Sequence, residues 1–500
     1  MSEKEKVKFG NWLSAAPATM GGLSMIGWMS VVIAVMLMVV CFIFGNFLGG
    51  LLALLLGLIF VFLFMFRFGE MDAGRTIAAR VLERASQKRR KDTGATQYRT
   101  GLFSGLPAGQ LWALPGALAD IEELNGTDGE GESFTLLHHR SVGKLAATLT
   151  CVPDGADLLP QGMLDAQVET FGGWIADLSE DTSIAGATIT VESALLSKKP
   201  LVQKLEGHVA EWAPAAAKEA HAQATAQLPD FFTDTSVHGT VVWDVKSVGE
   251  DLEEATAEVA GKLPYHRDFL YASGGGMPAV GTSEDLARVV QIAYNPHRAI
   301  EAATDDLLGH ENPMRLSEAG PDYFDDFPTR VAFHDGVASM TAVMVIPPRI
   351  HITEKTFKKL FAPATKFLRK RVTVFYRPLS SGEALKKAEQ LRRSTRTSAS
   401  AKSMASAFDE NKVQLAKKNE SDLVDGAAMQ AFSLMVTVTF EPTKKAYREA
   451  TQKLKNLLES TKLTYRFVDY GVSSAFHATL PLGILPWEYK DIVDTVAEGM

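Results

Sequence analysis

A glycine-rich segment at residues 276–283 comes nearest, among all segments of the chain, to a phosphate-binding loop. It reads GMPAVGTS and has the glycine spacing of such a loop. Thr282, however, occupies the position where the loop carries the lysine that reaches the β- and γ-phosphates. Without that charge, we interpret the segment as a simple loop and a helix cap, in which Thr282 and Asp285 form a capping box. We therefore expect that the protein neither binds ATP tightly nor hydrolyses it.

Several acidic and histidine side chains are present without the arrangement that catalysis or metal binding needs. Asp244 and Asp469 end hydrophobic strands, as magnesium-binding aspartates do, but no phosphate loop accompanies them. His138 and His139 are neighbours on a predicted strand, so their side chains point to opposite faces and cannot hold one metal ion.

Two acidic segments are better interpreted as solvated loops. Asp322, Asp325 and Asp326 lie in a proline-flanked segment, and residues 125–133 read NGTDGEGES without the ligand spacing of a calcium-binding loop. The sequence contains no HExxH, CxxC or GxSxG motif. We therefore predict no catalytic, cofactor-binding or metal-binding residues, and a protein that is not an enzyme.

The composition is that of a globular protein with one unusual segment. The 500 residues predict two or three structural units, and 46% hydrophobic with 22% charged residues excludes a disordered chain. A net charge of -8 does not favour a general polyanion-binding protein. Cys41 and Cys151 lie in very different surroundings, so we expect no disulfide between them, which fits a reducing compartment.

Residues 25–66 contain no Asp, Glu, Lys, Arg or His. A single helix of this length would be roughly 63 Å long at about 1.5 Å per residue, whereas a bilayer core is only about 30 Å thick. We therefore predict a hairpin of two transmembrane helices that turns at Gly45-Asn46 or Gly49-Gly50. A cleaved signal peptide is the alternative, but the run is too long for one.

Basic residues flank this run on both sides, whereas the turn carries no charge. Positive-inside reasoning places both ends, and the body that follows, in the cytoplasm, so the protein is expected in the cytoplasmic membrane. The cluster at residues 88–91 is interpreted as membrane-flank charge attracted to anionic lipid, with a nucleic-acid contact as the alternative. The flanking basic residues are Lys4, Lys6, Lys8, Arg67, Arg75, Arg80, Arg84, Lys88, Arg89, Arg90 and Lys91.

The rest of the chain predicts an α+β fold with two lobes that have mixed or antiparallel sheets. Strands are predicted at 134–139, 144–152, 184–191, 236–245, 267–272, 329–333, 337–346, 371–376, 432–440 and 464–469, with helices between them. Apolar residues on both faces of 371–376 indicate a strand that is covered on both sides. The predicted units are an N-terminal segment (1–24), the hairpin (25–66), a basic helix and connector (67–133), a first lobe (134–300), a linker (301–328) and a second lobe (329–500) with a helical insertion (380–425).

Several segments together resemble a family of actinobacterial integral membrane proteins that are encoded in conjugative elements. The resemblance runs from about Phe9 to Gly483 and depends on the order and spacing of the segments. They are FGNWLSAAP, LLHHRSVGKLAATLTC, FGGWIADL, VIPPR, LRKRVTVFYRP, FSLMVTVTF and ATLPLG.

That family looks like a fusion of two parts of a type IV secretion system. One part is the small inner-membrane subunit with two transmembrane helices, and the other is the non-catalytic N-terminal domain of the conjugation ATPase. This chain departs from the ATPase because it has no phosphate loop and no catalytic glutamate motif. The resemblance therefore implies a scaffold or docking subunit that works with a separate ATPase and other channel subunits, with self-association allowed.

Two other functions stay open from the sequence. One is a membrane-anchored DNA-binding component, which the clustered Lys and Arg at residues 84–91 and 366–371 allow although the acidic net charge disfavours it. The other is an enzyme of unrecognised chemistry.

Overall fold

The structure is a computed structural model. It describes residues 25–45, 47–65, 67–68, 75–94, 96–100, 113–153, 155, 159–229, 231–308, 314–326, 330–348, 356–363, 366–400, 413–414, 417, 421 and 429–489.

Two apolar helices form an antiparallel pair at the start of the described chain. α1 spans Met25–Ile43 and α2 spans Phe47–Met65, and the two helices pack against each other. The chain turns between them at Phe44 and Gly45, where Gly45 has a φ of 70° that favours glycine. This is the first of the two turn positions that the sequence predicts. Among the described residues, no helix was found to be long and apolar enough to cross a membrane, so the predicted span stays a prediction.

A short connection joins this hairpin to the folded body. It consists of two paired two-residue strands, β1 and β2, and a basic helix, α3, which contacts both α2 and β2. The bounds are Arg67–Phe68 for β1, Arg75–Thr76 for β2 and Ile77–Asp92 for α3.

The first half of the body alternates strands with helices. Its strands are β3 (Gln97–Arg99), β4 (Ile121–Thr127), β5 (Ser133–His139), β6 (Lys144–Cys151), β7 (Ile184–Ser197), β8 (Phe231–Asp244) and β9 (Ala279–Val280). Its helices are α4 (Gln161–Glu180), α5 (Lys199–Gly207), α6 (Ala215–Ala226), α7 (Val245–Val248), α8 (Leu252–Leu270), α9 (Ser283–Tyr294) and α10 (Arg298–Leu308).

The second half repeats this alternation. Its strands are β10 (Tyr323–Asp325), β11 (Ala332–His334), β12 (Val337–Ile346), β13 (Arg369–Pro378), β14 (Gln430–Phe440) and β15 (Thr464–Phe467). Its helices are α11 (Lys358–Phe361), α12 (Ser381–Ser400), α13 (Lys444–Ser460) and α14 (Val472–Ala478).

Both halves contribute to one 13-stranded sheet, in which every recorded strand pair is antiparallel. The order is β3-β10-β11-β12-β14-β13-β7-β8-β6-β5-β4, with β9 beside β6 and β15 beside β12. The α+β class and the antiparallel alternative are thus confirmed, but the two predicted lobes are halves of a single sheet.

The sheet order reveals an internal duplication. The first half runs β4-β5-β6-β8-β7 and the second runs β10-β11-β12-β14-β13, and β9 and β15 occupy equivalent places. A helical insertion also separates the last two strands of each half. Because β7 and β13 are antiparallel and pair through residues 187–194 and 369–376, the halves are related by an approximate two-fold axis near Thr190 and Thr373.

Helices cover the two faces of the sheet differently. On one face, called face B, α4 and α8 cover the first half and α13 covers the second, each over its own apolar cluster. α13 shows why such helices form, because Ala450, Leu454 and Leu458 recur on one side and are buried. Thr443 caps its first turn by accepting a hydrogen bond from the Ala446 amide.

The opposite face, called face A, has one cluster that spans both halves. α9, α14 and residues 479–489 pack over it, with Phe476 and Leu482 completely buried. Burying each large apolar side chain of this kind contributes roughly 1.5–3 kcal/mol. The 479–489 segment therefore belongs to the core of both halves.

Some local predictions were wrong. The predicted strand 267–272 is instead the end of α8 and a following turn, since the helix continues past Pro264. The predicted linker range contributes part of α10 and all of β10, which pairs with β3 and β11. The alanine-rich stretch 201–228 forms two helices that are separated at residues 208–214.

We predict that Val372→Asp strongly destabilises the body. Val372 is completely buried on β13 and faces Val191 and Val436 in the neighbouring strands. An unpaired carboxylate there should cost roughly 3–5 kcal/mol. Chemical denaturation of the full chain in detergent should show a lower midpoint, whereas the exposed control Lys445→Asp should stay within about 0.5 kcal/mol of the parent. An unchanged midpoint for Val372→Asp would contradict the position of β13.

Candidate functional site

The glycine-rich segment at 276–283 is a strand and a helix cap. β9 pairs with β6, and the Gly281 amide donates to the Thr148 carbonyl at 2.8 Å. The Thr282 amide donates to Asp285 Oδ2 at 3.0 Å, and the Asp285 amide donates to Thr282 Oγ1 at 3.3 Å, which together form the predicted capping box. A carboxylate thus occupies the helix N-terminus where a phosphate would have to bind, and the neighbouring Glu284 would repel an anion further.

The two aspartates at strand ends form ion pairs with basic residues. Lys144 Nζ lies 2.5 Å from Asp244 Oδ2 and 3.3 Å from Glu488, and Asp244 also caps α7. Arg330 Nε donates to Asp469 Oδ1 at 2.9 Å. Both carboxylates are therefore neutralised by protein cations.

The adjacent histidines diverge, as alternation along a strand requires. The His139 ring lies between the Tyr489 hydroxyl at 2.7 Å and the Leu482 carbonyl at 2.9 Å, and burial lowers its pKa to about 4. His138 points instead towards Glu122, 3.5 Å away. Within the described ranges, no group of three or more His, Cys, Asp or Glu side chains is placed to hold a metal ion.

The three aspartates at 322–326 do not form a single solvated loop, which corrects that interpretation. Asp325 belongs to β10, and Asp326 is only 2% exposed. The Ser473 hydroxyl donates to Asp326 Oδ2 at 2.7 Å, and an Arg90 nitrogen lies 3.7 Å from the same oxygen. Burial raises the pKa of Asp326 even though Ser473 and Arg90 act in the opposite direction.

A buried charge network crosses the junction between the two halves. Glu192 on β7 lies directly opposite Arg371 on β13, at 3.2 Å, and accepts a second hydrogen bond from Arg369 at 2.6 Å. Burial opposes ionisation of Glu192, but the two guanidinium groups outweigh it and lower the pKa to about 2. Arg371 also donates to the Thr479 hydroxyl at 3.3 Å, which connects the network to the 479–489 segment.

Neutral histidines surround this network on face A. The Tyr294 hydroxyl lies 2.8 Å from His477 Nε2, and the His334 ring lies between the Tyr294 carbonyl and the Ser339 hydroxyl. Burial lowers the pKa of His334 to about 4 and that of His477 to about 3. These rings exchange hydrogen bonds in the interior, so their geometry supports a structural role in the core.

Side chains of the sheet also bind the backbone of the 479–489 segment. The Thr373 hydroxyl donates to the Thr479 carbonyl at 3.1 Å, and the Thr148 hydroxyl donates to the Pro481 carbonyl at 2.7 Å. Thr148 belongs to the first half and Thr373 to the second. The segment therefore bridges both halves through otherwise unpaired carbonyl groups.

The α3 junction, formed by Arg84, Gln87, Arg90, Asp326 and Tyr470, fixes the hairpin connection to the body. Arg84 Nε donates to the Tyr470 hydroxyl at 2.9 Å, and Gln87 Nε2 donates to the Asp326 carbonyl at 3.1 Å. Arg90 donates to the Tyr470 carbonyl. We take this junction as the candidate functional site, because it is where the apolar hairpin and the folded body are joined.

Sequence reasoning missed both the charge network and the junction. Arg369 and Arg371 lie at positions i and i+2, and the predicted strand begins only at Arg371. Their spacing is the signal for one charged face beside an otherwise apolar run. Glu192 is the matching charge, but it lies 179 residues away from Arg371. Only the pairing of β7 with β13 shows that these residues meet.

No protein-family model matches the chain, and no curated protein matches it.

We predict that Glu192→Gln destabilises the body by roughly 3–5 kcal/mol, because it leaves two buried guanidinium groups without a counter-charge. The variant should also change the response to acid. The pKa of Glu192 is lowered in the folded state, so its contribution is fully present above its unfolded value of 4.5 and is lost as the pH falls towards 2. The denaturation midpoints of the parent and of Glu192→Gln should therefore differ most above pH 4.5 and converge below it. A difference between them that is the same at every pH would contradict the assigned role.

We predict that stability is also lost as the pH falls from 6.5 to 4. The pKa of His477 is lowered from 6.5 to about 3, so the unfolded chain takes up the proton first and the folded state loses stability below pH 6.5. His477→Gln should reduce the slope of the unfolding free energy against pH by up to about 1.4 kcal/mol per pH unit in this range. The matched variant Tyr294→Phe removes the same hydrogen bond but keeps the titrating ring, so it should lower stability with the slope retained. Equal slopes in the parent and in His477→Gln would refute the assignment.

Proposed function

We propose that the protein is a non-catalytic, membrane-anchored docking subunit of a conjugative type IV secretion system, which transfers DNA. In this proposal it holds a separate motor ATPase at the cytoplasmic membrane. The observation that carries the proposal is the α3 junction, at which the basic helix that follows the uncharged hairpin is bound to a large folded body. The family that the sequence resembles combines the same two parts.

The side chains of the hairpin support a location in lipid. Large apolar side chains on both helices are exposed, such as Met36 at 67% and Leu56 at 64%, and neither helix contains a charged residue. The charge-free run 25–66 provides about 20 residues for each of two crossings, which is what a bilayer core of about 30 Å needs. Exposure of so much apolar surface to water would be unfavourable.

The orientation follows from the charges that flank the hairpin. The basic helix α3 follows after β1 and β2, and Lys4, Lys6 and Lys8 precede the run. Positive-inside reasoning therefore supports two crossings with both ends, and the body, in the cytoplasm. A cytoplasmic body is the arrangement in which it can contact an ATPase.

The helical insertion of the second half is the proposed contact with that ATPase. In α12, Ala384, Ala388 and Leu391 recur on the buried side, whereas Leu385 is 51% exposed on the other. The remainder of the predicted insertion, beyond residue 400, lies mostly outside the described residues. The mixed charges of α12 suit a transient interface.

The alternative of direct DNA binding loses one of its two supporting clusters. Lys370 and Arg371 are buried, and Arg369 is paired with Glu192. Lys370 donates to the Leu360 carbonyl at 2.6 Å inside the body. Of the four basic residues at 366–371, Lys366 alone is exposed, so the cluster offers phosphates a single cation.

The test is affinity purification of the tagged full-length protein from native membranes. We expect a conjugation ATPase of the same host to co-purify with the parent protein. The Leu385→Glu variant should no longer recover that ATPase. Trp212→Glu is the matched control, because Trp212 is also exposed but lies in the insertion of the first half, between α5 and α6. If folded parent protein recovers no such ATPase and its deletion leaves DNA transfer intact, the docking function is wrong. If Leu385→Glu recovers the ATPase as well as the parent does, α12 is not the contact.

A further inference from the structure

Helix α3 has two chemically different sides. Arg84, Gln87 and Arg90 recur at intervals of three residues and contact the body through Asp326 and Tyr470. This side is fixed, because Gln87 is buried and Arg90 is half-buried. Gln87 and Arg90 therefore lie on the side that faces the body, whereas Arg84 is exposed at the edge of that side. The opposite side points away from the body.

The outward side changes from apolar to cationic along the helix. Val81 and Ala85 are exposed at its beginning, and Val81 is 57% exposed. Lys88 and Arg89 follow at the next turn on the same side, since they lie seven residues after Val81 and four after Ala85. All four side chains are exposed.

The position of α3 adds a second observation. The helix contacts α2 and β2, so its apolar beginning lies next to the end of the hairpin and its cationic end lies further along. A helix that leaves a bilayer and rests on its surface has this order, with apolar residues near the acyl chains and Lys or Arg at the headgroups. A nucleic-acid surface would instead need cations along the whole side and gains nothing from exposed Val81.

We propose that the outward side of α3 lies on the membrane surface, with Val81 and Ala85 at the acyl boundary and Lys88 and Arg89 against anionic phospholipid headgroups. This inference rests on the proposed anchor and adds a second, lipid-dependent contact to it. Because the other side of α3 is fixed to the body, the lipid contact sets the orientation of the body relative to the bilayer.

The test measures the depth of a nitroxide label at Val81→Cys. The full-length protein, with Cys41→Ala and Cys151→Ala, is reconstituted into nanodiscs of phosphatidylcholine with or without phosphatidylglycerol. Relative accessibility to oxygen and to a water-soluble nickel complex reports depth. A label at Val40→Cys on the exposed side of α1 monitors the anchor, and a label at Glu253→Cys on α8 monitors the body.

We expect the Val81 label to be lipid-exposed in the anionic discs and the Glu253 label to be water-exposed. The double variant Lys88→Glu with Arg89→Glu should lower the ratio of lipid-exposed to water-exposed Val81 label by roughly fivefold or more. Each cation near an anionic surface strengthens membrane binding by about that factor. The matched pair Lys445→Glu with Arg448→Glu, exposed on α13, should leave it unchanged.

The remaining outcomes separate the two proposals. A water-exposed Val81 label in both discs, with the Val40 label in lipid, overturns this inference and leaves the anchor intact. A water-exposed Val40 label overturns the anchor itself. A third outcome combines three results: the protein binds duplex DNA, the double variant Lys88→Glu with Arg89→Glu abolishes that binding, and the Val81 label stays in water. In that case α3 is a nucleic-acid surface and the lipid contact is wrong.

Discussion

The antiparallel pairing of β7 with β13 is the contact on which the rest of the structure depends. It joins two half-sheets through residues 187–194 and 369–376, and without it each half would expose a long unpaired edge. Glu192 and Arg371 face each other at this pairing, with Arg369 beside them. If β7 shifted by one residue relative to β13, Glu192 and Arg371 would lie on opposite faces of the sheet. The buried ion pair therefore fixes the register of the two strands, although it adds little net stability.

The duplicated halves are also joined by a segment from outside the sheet. Residues 479–489 cross face A, and their carbonyl groups accept hydrogen bonds from Thr148 in one half and Thr373 in the other. His139 and His477 complete this layer as neutral rings, because burial lowers their pKa values well below neutrality. Groups that resemble catalytic residues by type thus have a structural role in closing the core.

How much the sequence could predict depended on whether a pattern was local. The period of α13, the capping box at Thr282 and the strand at 337–346 follow from neighbouring residues, and the structure confirms them. The short strands β3 and β10 have no such pattern, since they exist only through pairing with each other and with β11. The same reason explains Asp326, whose proline-flanked surroundings indicated solvent although Ser473 and Arg90 bury it.

The α3 junction connects these layers to the proposed anchor. Tyr470, which binds α3, lies just before α14, and Ser473, which binds Asp326, lies in its first turn. Both are therefore close in sequence to the 479–489 segment. A displacement of α3 would therefore be passed to the layer that holds both halves together. The proposed docking function requires such coupling, because a partner bound to the body keeps a defined position at the membrane only if the contact between α3 and the body has few internal degrees of freedom.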